Sequence, residues 1–340
     1  MKDGRRQPMT ESAPKRWPYI LLGTVGGAVG VVFLCTICFF GGALLFSALI
    51  PEVEPTPGTA GFPSVGTGPA VGIVRVEGVI TSGEPTSPLA TDGNAYSQRV
   101  IDHLRQAQKD FEVKAILLRI NSPGGSVVGS DEIYQVLRDE IDKPVVVSMG
   151  ELAASGGYYI AAGADRIIAN PATLTGSIGV IATVINTQDL LDKVGVDVTV
   201  IKSGKLKDAG SAFREMTPEE QALWQKIIDE AYEQFVGVVA EGRGMPREEV
   251  RKLADGRVYT GRQALELGLI DELGNLSDAV QVAADLGGIE GKPRIIEYGR
   301  RPSFWDVFMF QIARPVQPVT LNDFLDLDRR RTVQYLYVEP

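Results

Sequence analysis

Residues 144–159 read PVVVSMGELAASGGYY, a short apolar run followed by a stretch of small residues. The run 144–149 predicts a strand buried on both faces, because it is rich in valine and barely alternates with polar residues. The small residues on both sides of Ser155 allow a tight turn at the end of that strand, and the residues after the turn predict the start of a helix. A buried strand that leads directly into a helix is typical of a parallel sheet.

The alternation of strands and helices continues on both sides of this stretch. Further strands are predicted at 71–80, 114–120, 165–169, 178–184 and 197–201. Helices are predicted at 98–110, 131–142 and 217–241, the last beginning with a capping box formed by Thr217 and Glu220. Short strands separated by helices favour an α/β fold in which parallel β-α units are covered on both faces.

The composition excludes several classes of protein. The 340 residues carry a net charge of −9, and basic residues cluster only near the start of the chain and at 329–331. The sequence therefore predicts no basic surface for binding nucleic acid. The only cysteines, Cys35 and Cys38, lie inside a long apolar run, so the remainder of the chain has neither disulfides nor thiolate zinc sites. His103 is the only histidine.

The apolar run 19–50 contains no charged residue and is longer than the roughly 30 Å of a bilayer core requires. Basic residues precede it and the next one after it is Arg75, so the positive-inside rule places the N-terminus in the cytoplasm and the rest of the chain outside. A tight two-helix hairpin around Gly41 is the alternative. We therefore predict a cytoplasmic N-terminus at 1–17, a transmembrane helix at 18–50, a Pro- and Gly-rich linker at 51–70, a catalytic domain at 71–300 and an extension at 301–340.

Two segments are candidates for the chemistry. In the run 120–126 (INSPGGS), two glycines allow backbone N–H groups to point at a developing oxyanion, although a simple turn between a strand and a helix would need the same residues. Ser155 stands where a nucleophile at a helix N-terminus would be, with the N–H of Gly156 beside it. Serine is equally favoured there as an ordinary helix cap.

The scarcity of histidine decides which base such a serine can use. The sequence around Ser155 resembles the G-x-S-x-G elbow of α/β-hydrolases, but those enzymes need a histidine after the nucleophile, and His103 precedes it on a helix predicted to lie at the surface. A neutral lysine is the remaining choice. Three candidates follow the strand predicted at 197–201, namely Lys202, Lys205 and Lys207, and composition does not choose between them.

Four motifs, in order, resemble the bacterial signal peptide peptidase A (SppA) family. They are RINSPGGS (119–126), GELAASGGYYIAAGADRIIANPATLTGSIGV (150–180), KSGKLKDAGSAFREMTPEE (202–220) and GRVYTGRQALELGLIDELG (256–274). The similarity covers roughly residues 71–288, and the single predicted span suits the shorter, single-copy form of the family. The resemblance implies a crotonase-like fold shared with the Clp protease, and a Ser-Lys peptidase.

The resemblance also implies the role of each site residue. The nucleophile falls on Ser155, the general base on Lys207, and the serine that orients the lysine amine on Ser177. The oxyanion donors would be the backbone N–H groups of Gly125 and Gly156. Asp208 should point away from Lys207, because a carboxylate in contact with the amine would hold it protonated.

The implied activity is acyl transfer through an acyl-enzyme, without a metal or any other cofactor. The implied substrates are remnant signal peptides and other short hydrophobic peptides, and the implied assembly is a homo-oligomer. Two alternatives remain: a crotonase-like enzyme acting on acyl-coenzyme A, which the predicted outside location disfavours, and a non-catalytic membrane scaffold with the same fold.

Overall fold

The computed structural model describes residues 68–85, 92–299 and 334–336. No helix within these ranges is long and apolar enough to cross a bilayer. The span predicted at 18–50 and most of the linker lie outside the described residues, so they remain predictions.

Strands and helices alternate along most of the described chain. The strands are β1 (Ala70–Glu77), β2 (Ile80–Thr81), β3 (Ala95–Tyr96), β4 (Val113–Ser122), β5 (Gly124–Ser126), β6 (Val145–Ala154), β7 (Arg166–Ala169), β8 (Leu174–Gly176), β9 (Val258–Thr260), β10 (Glu272–Leu273), β11 (Arg294–Tyr298) and β12 (Gln334–Leu336). The helices are α1 (Ser97–Lys109), α2 (Val127–Asp139), α3 (Gly156–Ala161), α4 (Gln188–Val194), α5 (Pro218–Arg243), α6 (Arg247–Leu253), α7 (Gly261–Glu266) and α8 (Leu276–Leu286).

The main sheet is parallel along its central path, with strand order β10-β7-β6-β4-β1-β11. Alternate side chains of each strand point to opposite faces. Val71 and Ile73 of β1 therefore pack in the apolar cluster beneath α8, whereas Val74 and Val76 pack in the larger cluster on the other face, where α1, α2 and α3 lie. The predicted parallel α/β sheet covered on both faces is confirmed.

Two smaller strand pairings build the region around the site. β8 adds to the end of β6 in parallel, with Ala154 opposite Gly176, and pairs on its other side with β9. A second sheet has the order β12-β5-β2-β3, in which β5 is parallel to β2 and antiparallel to β12.

The predicted helix boundaries match well, and the capping box at Thr217 and Glu220 is present. The strands predicted at 178–184 and 197–201 were wrong. Apart from a single bridge at Ile181, the described chain forms no strand there. A strand needs a neighbour to pair its N–H and C=O groups, and the alternating valines Val196, Val198 and Val200 are instead exposed.

Candidate active site

Ser155 follows the last residue of β6 and has a strained backbone. Its φ of 54° and ψ of −118° lie outside the regions that L residues favour. Among the described residues, only Ser155 and Ser177 combine a side chain with a positive φ. Such strain persists where the surrounding structure enforces it, and it is frequent at nucleophile elbows.

The Ser155 side chain does not act as a helix cap. It stands at the N-cap position of α3, yet its Oγ accepts no hydrogen bond from the helix. The residue is 1% exposed, and its Oγ has no hydrogen-bond partner among the described residues. A buried hydroxyl without a partner costs free energy, so the capping interpretation does not explain this serine.

Gly125 and Gly156 meet beside Ser155, where each position excludes a side chain. A Cβ on Gly125, whose φ is 151°, would lie 2.1 Å from the carbonyl oxygen of Ile80. A Cβ on Gly156 would lie 2.5 Å from Ser130 Oγ and 3.3 Å from the backbone N of Gly125. The two glycine N–H groups predicted as oxyanion donors therefore lie close together, one at the strand β5 and the other at the first turn of α3.

The turn before β5 is held by Ser122. Its Oγ donates to the carbonyl of Gly78 over 2.6 Å and accepts from the N–H of Gly124 over 3.0 Å. Ser122 is fully buried, so these contacts position the glycines from inside the fold.

Ser177 lies next to Ser155 because β8 extends the sheet at the end of β6. The N–H of Ser155 donates to the carbonyl of Gly176 over 2.8 Å, and the N–H of Ser177 donates to Arg257. The Thr175 Oγ1 donates to the carbonyl of Ala153 over 2.7 Å and so joins the two strands. Ser177 is 7% exposed and has a φ of 48°. Its proposed role in orienting the lysine amine stays a prediction.

Lys207 makes no hydrogen bond to Ser155 in the single chain, because Ser155 Oγ has no partner among the described residues. Lys207 lies in an exposed turn, and no side-chain hydrogen bond or ion pair within the described ranges involves its amine. The other two candidate lysines have carboxylate partners: Lys202 pairs with Asp208 at 2.5 Å, and Lys205 pairs with Glu219. The hydrogen bond from Lys205 to Glu219 raises the pKa of the Lys205 amine, which makes it a poorer base.

Asp208 belongs to an ion-pair network that the sequence analysis missed. Arg214 binds the carboxylates of both Asp208 and Glu220, and Lys202 donates to the Oδ1 of Asp208 as well. The hydrogen bonds from Arg214 and Lys202 lower the pKa of Asp208, and those from Arg214 and the Thr217 N–H lower the pKa of Glu220 to about 2. The Asp208 carboxylate thus binds Lys202 and Arg214, and no ion pair between Asp208 and Lys207 is present among the described residues. The six-residue spacing of Asp208, Arg214 and Glu220 is the only sequence signal for this network.

His103 lies on α1 with its ring against Gly299 and is partly buried rather than fully at the surface. Burial lowers the pKa of its imidazole. No hydrogen bond joins it to Ser155.

The strand β12 of the same chain occupies one edge of β5, the strand that contains Gly125. β12 pairs with it antiparallel, with Gln334 opposite Ser126, Tyr335 opposite Gly125 and Leu336 opposite Gly124. β12 also lies against α3, the helix that follows Ser155. An extended segment therefore runs along the strand that contains Gly125.

Two protein-family models match the part of the chain that contains the candidate site. Residues 138–290 match the model of peptidase family S49, and residues 91–174 match that of the Clp protease. The first match contains Ser155, Ser177 and Lys207, and the second contains Gly125 and Gly156.

Several similar proteins carry names that identify them as proteases. The chain is 54% identical over 189 residues to a Synechocystis protein named "Putative protease", a match that covers 54% of this chain and 68% of that protein. It is 44% identical over 185 residues to an Enterococcus faecium protein named "Putative signal peptide peptidase SppA", covering 54% of each. It is 36% identical over 235 residues to the chloroplastic serine protease SPPA of Arabidopsis thaliana, covering 68% of this chain and 34% of that one. The match thus spans about two thirds of the first relative and about half or less of the other two. The chain therefore belongs to peptidase family S49, the SppA family of serine peptidases.

Proposed function

We propose that this chain is a membrane-anchored Ser-Lys endopeptidase in which Ser155 is the nucleophile and Lys207 the general base. The observation that carries the proposal is the Ser155 hydroxyl, which is buried, unpartnered and held on a strained backbone beside two glycine N–H groups. A fold that keeps such a costly arrangement is expected to use it.

The proposed reaction is acyl transfer. Ser155 Oγ attacks a peptide carbonyl as Lys207 accepts the hydroxyl proton, and the N–H groups of Gly125 and Gly156 stabilise the oxyanion. Lys207 then returns the proton to the leaving amine, and water hydrolyses the acyl-enzyme by the same route. Ser177, adjacent to Ser155, would orient the lysine amine.

The assignment of the base to Lys207 is supported by elimination among the three lysines. Lys202 and Lys205 are each bound to a carboxylate, and the hydrogen bond to Glu219 raises the pKa of the Lys205 amine. The Lys207 amine is unpaired among the described residues, and Asp208 beside it is held by Arg214. A base lysine must nevertheless be desolvated to lose its proton, and in the single chain Lys207 is exposed.

A homo-oligomer would supply the missing burial. The segment around Lys207 exposes large apolar side chains, with Leu190 61%, Val194 64% and Ile201 95% exposed. A patch of this kind is typical of a protein interface. We infer that a second copy covers this segment and that Lys207 becomes buried near a Ser155 hydroxyl in the assembly.

The proposed substrates are remnant signal peptides and other short hydrophobic peptides. A substrate would bind extended along the edge of β5, the position that β12 takes here, because an exposed strand edge pairs with an added peptide strand. The name of the E. faecium relative, a signal peptide peptidase, supports this substrate class.

We also propose that the enzyme is a single-pass protein of the cell membrane with its catalytic domain outside the cytoplasm. The support is the uncharged run 19–50 and the basic residues that precede it.

The direct test is labelling of the full-length protein with a fluorophosphonate probe, followed by mapping of the modified residue by mass spectrometry. We expect the label on Ser155, and we expect Ser155→Ala to lower peptide cleavage by about 10³-fold or more. Ser277→Ala, which removes an exposed hydroxyl on α8, is the matched control and should retain both labelling and activity.

The same experiment separates the alternatives. A Ser155→Ala protein that cleaves peptides like the parent would contradict the peptidase proposal. Acyl-coenzyme A hydrolysis without peptide cleavage would favour a crotonase-like enzyme, and the absence of labelling and of both activities would favour a scaffold.

A further inference from the structure

A cavity of about 360 Å³ opens beside the candidate site. It is lined by Gly78, Asn121, Pro123, Glu151, Leu152 and Leu174. Pro123 immediately precedes β5, and Leu152 lies three residues before Ser155 on β6. The cavity is thus built by the elements that position Gly125 and Ser155, but it contains neither residue.

The direction of β12 indicates which part of a bound peptide would reach this cavity. β12 runs antiparallel to β5, from Gln334 opposite Ser126 to Leu336 opposite Gly124. A peptide in the same orientation leaves β5 at Gly124, next to Pro123. If its reactive carbonyl is held at Gly125, the residues that approach the cavity are those C-terminal to the cleaved bond, which depart with the leaving amine.

The lining has one ionisable side chain. Glu151 is exposed, and within the described ranges its carboxylate has no hydrogen bond or ion pair. Asn121 is partly engaged, because its Oδ1 accepts the N–H of Leu152 over 3.1 Å. Pro123, Leu152 and Leu174 supply apolar walls.

We propose that this cavity is a subsite for a lysine or arginine side chain on the leaving-group side of the substrate, with Glu151 as the specificity-determining residue. The apolar walls would contact the aliphatic stem and the carboxylate would meet the charged head, which is how long basic side chains divide between apolar and polar surroundings. This inference rests on the proposed peptidase function.

The test uses quenched fluorescent peptides that contain one cleavable hydrophobic segment. The peptides form three pairs, one pair for each of the first three positions after the cleaved bond. The two members of a pair differ only in having lysine or norleucine at that position, and mass spectrometry identifies the bond that is cleaved. We expect kcat/KM to favour lysine by about three- to tenfold at one of these positions, since partly exposed charge pairs contribute modestly. Glu151→Gln should reduce the ratio of kcat/KM for the lysine peptide to that for the norleucine peptide to about one. Glu151→Lys should make the norleucine peptide the better substrate.

Glu266→Gln is the matched control, because Glu266 is an exposed carboxylate on α7 outside the cavity. It should keep the preference for lysine. Equal rates for lysine and norleucine at all three positions, or a preference unchanged by Glu151→Gln, would overturn the subsite. Binding of the same peptides to the Ser155→Ala protein is measured in parallel by fluorescence anisotropy. A lysine preference in binding that Glu151→Gln removes, without cleavage by the parent protein, would contradict the peptidase function while supporting the subsite.

Discussion

The surroundings of Ser155 and of Lys207 have opposite characters. Every residue of α3 is buried, and Ser155 is 1% exposed on a strained backbone. In contrast, α4 has no buried residue, and Lys207 lies in an exposed turn thirteen residues beyond the end of that helix. One half of the proposed dyad is complete in the single chain, and the other half lacks the burial that its chemistry requires.

A second comparison concerns two serines at equivalent junctions between a strand and a helix. Ser126 begins α2 with ordinary dihedral angles, and its Oγ accepts the N–H of Gly129 over 3.1 Å, as a helix cap does. Ser155 begins α3 and makes no such bond. Both serines occupy the N-cap position of a helix that follows a strand, so they differ in the backbone strain and the unsatisfied hydroxyl of Ser155.

The largest effect is expected from the base. Lys207→Ala should lower kcat/KM for peptide cleavage by about 10²- to 10⁴-fold, the usual contribution of a general base. Lys205→Ala is the control, because it removes a lysine two residues away whose amine is paired with Glu219. Steady-state assays of both variants with one quenched peptide are the measurement. An equal loss in the two variants would contradict the assignment of the base to Lys207.

A smaller effect is expected from the exposed apolar segment. Leu190→Glu combined with Ile201→Glu should weaken self-association by roughly 30-fold or more, since burying charge at the centre of an interface costs about 2 kcal/mol. Light scattering should then show smaller species, with activity falling at low protein concentration. Phe111→Glu, which changes an apolar side chain 84% exposed elsewhere on the surface, should alter neither quantity. A double variant that retains the assembly of the parent would show that this segment is not the interface.

The smallest effect is expected from releasing β12. Gln334→Pro combined with Tyr335→Pro removes two successive N–H groups, so at least one ladder bond to β5 is lost. If β12 competes with peptides for this edge, KM should fall by about two- to fivefold while kcat changes little. Tyr335→Ala keeps the N–H and should behave like the parent. A rise in KM would instead indicate that β12 helps to form the binding edge.

Local sequence patterns were sufficient to predict the central strands of the main sheet and several of the helices. The valine-rich run before Ser155, the helical spacing at α1 and the capping box at Thr217 each depend on neighbouring residues, and each lies where it was expected. The strands predicted at 178–184 and 197–201 failed because a strand pattern does not specify a pairing partner. Their apolar residues remain exposed in the single chain.

The sequence by itself determined the α/β class, the scarcity of histidine and, through its motifs, the candidates Ser155, Ser177, Lys207, Gly125 and Gly156. Composition did not distinguish a catalytic serine from a cap, or one lysine from another. The tertiary structure removed the cap interpretation of Ser155, because its Oγ makes no cap hydrogen bond and its backbone has a positive φ where β6 meets α3. The tertiary structure also narrowed the choice among the three lysines, because it shows that Lys202 and Lys205 are paired with carboxylates. These ion pairs depend on how residues 202–220 fold back on one another.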